Sequence, residues 1–241
     1  CCSNNNFLGN NMNKIPFLEG ATLIIDKPLN WTSFDVVKKI RSEIIHHFNL
    51  KKIKVGHAGT LDPLATGLMV VCTGEKTKTL NDYLIDSKVY KGEIKLGATT
   101  PSFDLETAIN KRYEIPNLDL EIIHEVKSKF IGEQDQIPPT FSAKRIKGKR
   151  AYEFARKNEH LTLKPSLINI YSIEFEIINK DILGFICHCS KGTYMRSLAR
   201  DIGLFLNSGA HLIALRRIKS GKFTIDMAKS VEDWIDIIKA S

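Results

Sequence analysis

Segments of two different periods are interleaved along this chain, and their irregular order narrows the fold more than any other feature. Residues 90–96 (YKGEIKL), 168–178 and 183–189 alternate apolar and polar side chains, the two-residue period of half-buried strands. Val36, Val37, Ile40 and Ile44 recur instead at helical spacing through about His46. Met195, Leu198, Ala199, Ile202 and Leu206 form a second helical stripe. Thr32-Ser33-Phe34-Asp35 supplies a start signal for the first helix, a hydroxyl three residues ahead of an acid. Residues 21–26 (ATLIID) predict a short apolar strand stopped by Lys27-Pro28, and 68–73 a buried strand ending at Gly74. Residues 120–131 predict a helix, 151–156 a shorter one, and a last helix begins near Val231. These elements follow no regular βαβ rhythm, no Pro/Gly/Ser-rich linker divides them, and no internal repeat is present. The pattern predicts an α/β (α+β) fold, a mixed, largely antiparallel sheet flanked by helices.

A chain of 241 residues buries about 70–75% of its unfolded surface, so its core needs neither disulfides nor a metal. The longest apolar runs, 23–25 and 68–72, fall far short of the roughly 20 residues that span a bilayer. A membrane role is therefore excluded at this stage, and the 43% hydrophobic and 26% charged content excludes collagen-like or mostly disordered chains. The net charge of +8 favours a polyanionic partner, most simply nucleic acid. Five cysteines, an odd number in a long chain, do not form a disulfide framework and suit a reducing cytoplasm. The chain opens Cys1-Cys2-Ser3-Asn4, which fits either a lipoprotein's mature end or an upstream extension. The expectation is a disordered extension over residues 1–13, with Met12 near the biological start.

Several chemistries can be set aside. Gly74-Glu75-Lys76-Thr77 lacks the adjacent Gly-Lys-Thr of a phosphate loop, and no GxGxxG follows a strand. Cys187-His188-Cys189 would place the histidine on the opposite strand face from both thiols, with no second ligand pair at zinc spacing. No metal and no cofactor are expected. Residues 56–67 (GHAGTLDPLATG) stand out: three glycines and a proline in twelve residues fix an irregular backbone just before a buried strand. Loops held on rigid scaffolds are where catalytic groups concentrate. The plainer reading makes Asp62 a helix N-cap, but Gly67 arrives too soon and no Glu or Gln stands three residues on.

That segment resembles the catalytic loop of TruB-type tRNA pseudouridine synthases. Asp26-Lys27-Pro28 with Trp31-Thr32-Ser33 resembles the family's amino-terminal signature, and Lys88-Val89-Tyr90-Lys91 its tyrosine strand. Residues 138–153 (PPTFSAKRIKGKRAYE) resemble its central insert. Residues 189–197 (CSKGTYMRS), together with Gly209-Ala210-His211-Leu212 and Leu215-Arg216-Arg217, complete the set. The blocks run in family order from about residue 21 to 227. The resemblance implies isomerisation of a uridine to pseudouridine at position 55 in the T loop of tRNA, with the tRNA T arm as partner. It implies that Asp62 is the essential carboxylate and Arg196 its ionic partner, since an opposite charge nearby favours an ionised carboxylate. Whether Asp62 attacks C1′, adds to C6 or promotes elimination stays open.

Tyr90 would stack on the extruded base and handle its proton, and Tyr194 and Leu215 would line the same pocket; for Leu215 a packing role is an equal alternative. His57 matches the residue that displaces the neighbours of the flipped nucleotide. Lys27, counted with the substrate-binding residues, and Pro28 are expected to buttress the loop rather than touch RNA. Residues 144–157 (KRIKGKRAYEFARK) hold seven basic side chains and one acid. Lys149 and Arg150 in that run are expected to bind RNA, and with Arg216, Arg217, Lys219 and Lys222 to form a phosphate-tracking surface. Many relatives add a carboxy-terminal RNA-binding module of the PUA type, whereas only residues 218–241 follow Arg217 here. Residues 14–241 are therefore expected to form a single catalytic domain, monomeric and without an obligate protein partner. The alternatives are a T-arm-binding RNA chaperone without chemistry, and an isomerase of the dyskerin branch acting on ribosomal or guide-directed RNA.

Overall fold

The computed structural model describes residues 15–140 and 163–241, with backbone placement alone at 145–146 and 149–150. The expected extension 1–13 and helix 151–156 lie outside the described residues. The elements are β1 (Thr22–Lys27), α1 (Ser33–His47), β2 (Val55–Ala58), β3 (Ala65–Thr73), α2 (Leu80–Leu84), β4 (Lys88–Leu96), β5 (Ala98–Thr99), β6 (Lys111–Arg112), α3 (Leu120–Phe130), β7 (Gly132–Gln136), β8 (Arg145–Ile146), β9 (Lys149–Arg150), β10 (Ser166–Asn179), β11 (Ile182–Cys189), α4 (Met195–Phe205), β12 (Ala210–Ser220), β13 (Phe223–Thr224) and α5 (Val231–Lys239).

A nine-stranded sheet runs in the order β1-β3-β12-β4-β11-β10-β7, with β2 beside β3 and β13 beside β12. Neighbours in this sheet are antiparallel except β3 and β12, which run parallel with Leu215 opposite Ala65 and Arg217 opposite Gly67. The mixed, largely antiparallel sheet read from the sequence is the one observed.

Local sequence explains most of these elements. Thr32 caps α1 in a reciprocal box: its Oγ1 accepts from the Asp35 amide at 3.0 Å, and its own amide donates to the Asp35 carboxylate at 2.8 Å. Val36, Val37, Ile40 and Ile44 then face inward, each fully or almost fully buried, at about 1.5–3 kcal/mol of burial apiece. They meet Leu23, Ile25, Met69 and Val71 of the sheet and Val231, Trp234 and Ile238 of α5. A second cluster packs Leu198, Ala199 and Ile202 of α4 and Val126 and Phe130 of α3 against Ile94, Ile170, Ile173 and Cys187. Tyr90 and Leu215 touch both clusters, so they stand at the seam between two half-cores.

The expected loop 56–67 is shorter than its glycines suggest. Its first residues belong to β2, where Val55 pairs with Thr73 and Ala58 with Val70. Val55 and Ala58 are buried against the sheet, and that pairing outweighs the local turn composition. The segment is thus a hairpin, and only 59–64 remain irregular.

Candidate active site

The irregular residues 59–64 are pinned at nearly every step. Arg217 donates to the Gly59 carbonyl at 3.1 Å, and Gly59 takes a left-handed φ of 87°. Ser33, in the first turn of α1, uses its Oγ both to accept from the Leu61 amide at 2.8 Å and to donate to the Leu61 carbonyl at 3.0 Å. The Pro63 carbonyl accepts from the Asn30 amide at 2.9 Å and from Lys27 Nζ at 3.4 Å. Leu61 is buried, and Asp62 beside it keeps 40% of its side chain exposed. The amino-terminal signature around Lys27 and Ser33 is therefore the clamp of this loop.

Lys27 lies under the loop and not in the cleft. It has no exposed surface, and Nζ donates to the carbonyls of Trp31 at 2.6 Å and Pro28 at 2.9 Å as well as to Pro63. Burial pushes its ammonium down to about 8, partly offset by the charge of Asp62.

Arg196 sits in the first turn of α4, where a cation opposes the helix dipole. Its Nε lies 2.9 Å from Asp62 Oδ2 and 3.6 Å from Asp104 Oδ2, and Nη1 donates to the Ser102 carbonyl at 3.2 Å. Two carboxylates thus offset the unfavourable helix position. Asp104 and Arg196 are buried while Asp62 reaches solvent, so the pair fixes an accessible carboxylate from behind.

Asp62 faces an open cleft of about 340 Å³, within the usual range for enclosing a small molecular group. Tyr90, Tyr194, Arg196 and Leu215 line the same cleft. Five of the residues singled out in the sequence thereby come together. His57 does not line it: it sits on β2, where burial and then the Arg217 charge push its imidazole down. The side chains of Lys149 and Arg150 lie outside the described residues.

One arginine of β12 requires a correction. Arg216 and Arg217 were expected on a phosphate-tracking surface together with Lys219 and Lys222. Arg217 is instead 1% exposed, whereas Arg216 keeps 40% of its side chain exposed while it grips the Asp26 carboxylate at 3.0 and 2.5 Å. The cause is topological: β12 is an interior strand between β3 and β4. Lys219 and Lys222 are exposed as expected.

Two further cleft residues, Lys88 and Arg217, escaped the sequence reading of the site. Lys88 Nζ donates to the carbonyls of Tyr83, Leu84 and Asp86 at 3.0, 3.1 and 2.5 Å. Burial, helped by the Arg217 charge, lowers it to about 8. Strand period could have found both, because Lys88 lies two residues before Tyr90 and Arg217 two after Leu215. Cys187 and Cys189 are buried on one face of β11, and His188 on the other contacts Ser87 Oγ at 2.9 Å. Among the described residues, no cluster of three or more His, Cys, Asp or Glu could hold a metal, and no helix is long and apolar enough to cross a membrane.

Comparison with known proteins places the chain in a family. The model for the TruB family pseudouridylate synthase N-terminal domain matches residues 46–195. The model for the tRNA pseudouridylate synthase B C-terminal domain matches 196–240. A tRNA pseudouridine synthase B of Phocaeicola vulgatus is 50% identical over 223 residues, covering 91% of this chain and 95% of that one. Its counterpart from Parabacteroides distasonis is 48% identical, covering 92% of this chain and 95% of its own. Among solved structures, a Cbf5–Nop10–Gar1 complex matches with a TM-score of 0.69 and 28% identity over 91% of this chain. This chain spans 54% of the chain it matches there. The family models and these relatives together define a pseudouridylate synthase. The chain belongs to the TruB family.

Proposed function

We propose that this chain converts uridine to pseudouridine at position 55 in the T loop of tRNA. The observation that carries the reading is the Asp62 carboxylate, exposed on a pinned loop, ion-paired from behind by buried Arg196 at 2.9 Å, and opening onto a cleft shared with Tyr90. In the reaction the bond from uracil N1 to C1′ breaks and the base turns. A bond from C5 to C1′ then forms, C5 loses its proton and N1 gains one. No electrons are gained or lost overall and no water is consumed, so the balance calls for no cofactor and no metal. A base inside folded RNA must first leave its stack. The Tyr90 ring then provides a face worth about 1–3 kcal/mol of stacking, while Tyr194 and Leu215 wall the pocket.

Arg196 holds Asp62 in place against the sugar. Lys27 fixes the Pro63 backbone beneath it, and His57, on β2 outside the cleft, acts on the neighbours of the flipped nucleotide. Lys149 and Arg150, in the basic run, contact phosphates of the T arm. Asp62, Tyr90, Tyr194, Arg196 and Leu215 all come from one chain, which supports a monomer acting without an obligate protein partner. The buried free thiols Cys72, Cys187 and Cys189 support a reducing, cytoplasmic setting.

Release of tritium from uridine C5 of a labelled tRNA transcript tests the reading. Wild type should release one equivalent per tRNA and Asp62→Asn none, while both bind tRNA. Release by the variant would remove Asp62 from the chemistry. No release by either protein would leave a binding protein.

A further inference from the structure

Arg217 has no part in the chemistry assigned above, yet among the described residues it is the largest side chain with almost no exposed surface. Among the described residues no carboxylate lies within ion-pair distance of it. A buried cation without a counter-charge is costly, and an apolar side chain of similar volume would fill the space without that cost. The charge also burdens its neighbours, since it lowers the proton affinity of both Lys88 and His57.

Its contacts explain why it is kept. Arg217 stands opposite Gly67 on β3 and opposite Tyr90 on β4. Nε donates to the Leu68 carbonyl at 2.7 Å and one Nη to the Gly59 carbonyl at 3.1 Å, gripping the hairpin on both sides of Asp62. Arg217 faces Tyr90 directly across the β12–β4 pair and both line the cleft, so the guanidinium charge acts on the phenol. A guanidinium can only donate, so in a bond between the two the phenol oxygen accepts and the hydroxyl hydrogen is left to turn into the cleft. Burial pushes the Tyr90 hydroxyl up, and the Arg217 charge opposes that push.

We propose that Arg217 is a positioning residue that ties Tyr90 to the loop carrying Asp62, so that one rigid fork sets both the direction of the phenol proton and the place of the carboxylate. The proposal rests on the isomerase reading above.

Single-turnover tritium release by Arg217→Gln, Arg217→Lys, Tyr90→Phe and the double variant Arg217→Gln/Tyr90→Phe tests it. Arg217→Gln should slow release roughly 10²-fold, the scale of a lost proton-handling group, with tRNA affinity unchanged. Arg217→Lys should recover part of the rate because it keeps the charge. In the Tyr90→Phe background Arg217→Gln should cost several-fold less than in wild type, because only its hold on the loop is then left to lose. An equal loss in both backgrounds would overturn the proposal, because Arg217 would then act on the loop or the fold and not through Tyr90.

A second readout leaves Arg217 intact. The Arg217 guanidinium N–H signals in the nitrogen-15 NMR spectrum should shift and exchange faster with water in Tyr90→Phe than in wild type. Unmoved signals would overturn the proposal even if the Arg217 variants do not fold. Wild type that binds tRNA but releases no tritium would refute the isomerase reading, and these NMR signals would still report the Arg217–Tyr90 link.

Discussion

A lysine with no exposed surface is costly to keep protonated, and Lys27 carries that cost beneath the loop that holds Asp62. Two effects compete there. Burial lowers its proton affinity to about 8, while three backbone carbonyls accept from the ammonium. Hydrogen bonds to a charged group contribute about 1.5–3 kcal/mol each, and a buried carbonyl left unpaired costs about 1–3 kcal/mol. The contacts win, so Lys27→Met should destabilise the protein at neutral pH by about 1–3 kcal/mol. The pH dependence has a definite sign. Between about 8 and the ordinary value of 10.5 the unfolded chain holds this proton and the folded chain has released it. Stability therefore rises with pH wherever the unfolded state binds more protons. The advantage of wild type over Lys27→Met should widen from pH 8 to pH 10, as read by urea unfolding of the two proteins in parallel. A constant gap would mean that the folded chain holds this proton as firmly as the unfolded chain, and a shrinking gap that it holds it more firmly.

Among elements, the parallel pair β3–β12 carries the tightest constraint. Gly67 has a φ of 102°, and a Cβ there would meet the Arg217 carbonyl oxygen at 2.3 Å and its amide nitrogen at 2.8 Å. Both are backbone atoms that cannot swing aside, so Gly67→Ala must part the strands. It should cost about 2–4 kcal/mol in chemical unfolding and slow tritium release further by moving Arg217; wild-type stability would show that the strands separate freely. Helix α1 was legible in the sequence down to its capping box, because the cap and the apolar stripe are local signals. Strand β12 (Ala210–Ser220) was not, although it lies in the middle of the sheet. Its run AHLIALRRIKS shows no clean alternation, because Arg217 is buried among polar contacts that β3 and the 59–64 segment supply. Asp62, Arg196 and Tyr90 were reached through their motifs; Lys88 is held by the nearby carbonyls of Tyr83, Leu84 and Asp86, whereas Arg217 depends on the carbonyls of Leu68 and Gly59, distant in sequence. Asp104 was missed for the same reason: nothing near it in the chain points to Arg196.

On the scale of the molecule, the two matched regions meet between residues 195 and 196, inside the first turn of α4. The second region does not build a unit of its own. It supplies β12 to the middle of the sheet, α5 to one half-core and nearly all of α4 to the other. Remove it and β3 and β4 lose the strand between them. The seam where Tyr90 and Leu215 touch both clusters also comes apart, and with it the cleft. Cores that share an interior strand should melt together, so the intact chain should show one calorimetric transition whose van't Hoff and calorimetric enthalpies agree. A fragment ending at residue 195 should show no cooperative transition and no specific tRNA binding. Two resolved transitions in the intact chain, or a fragment 15–195 that melts cooperatively, would make the half-cores independent. The cleft would then be an interface between two units, and its geometry would depend on how they dock.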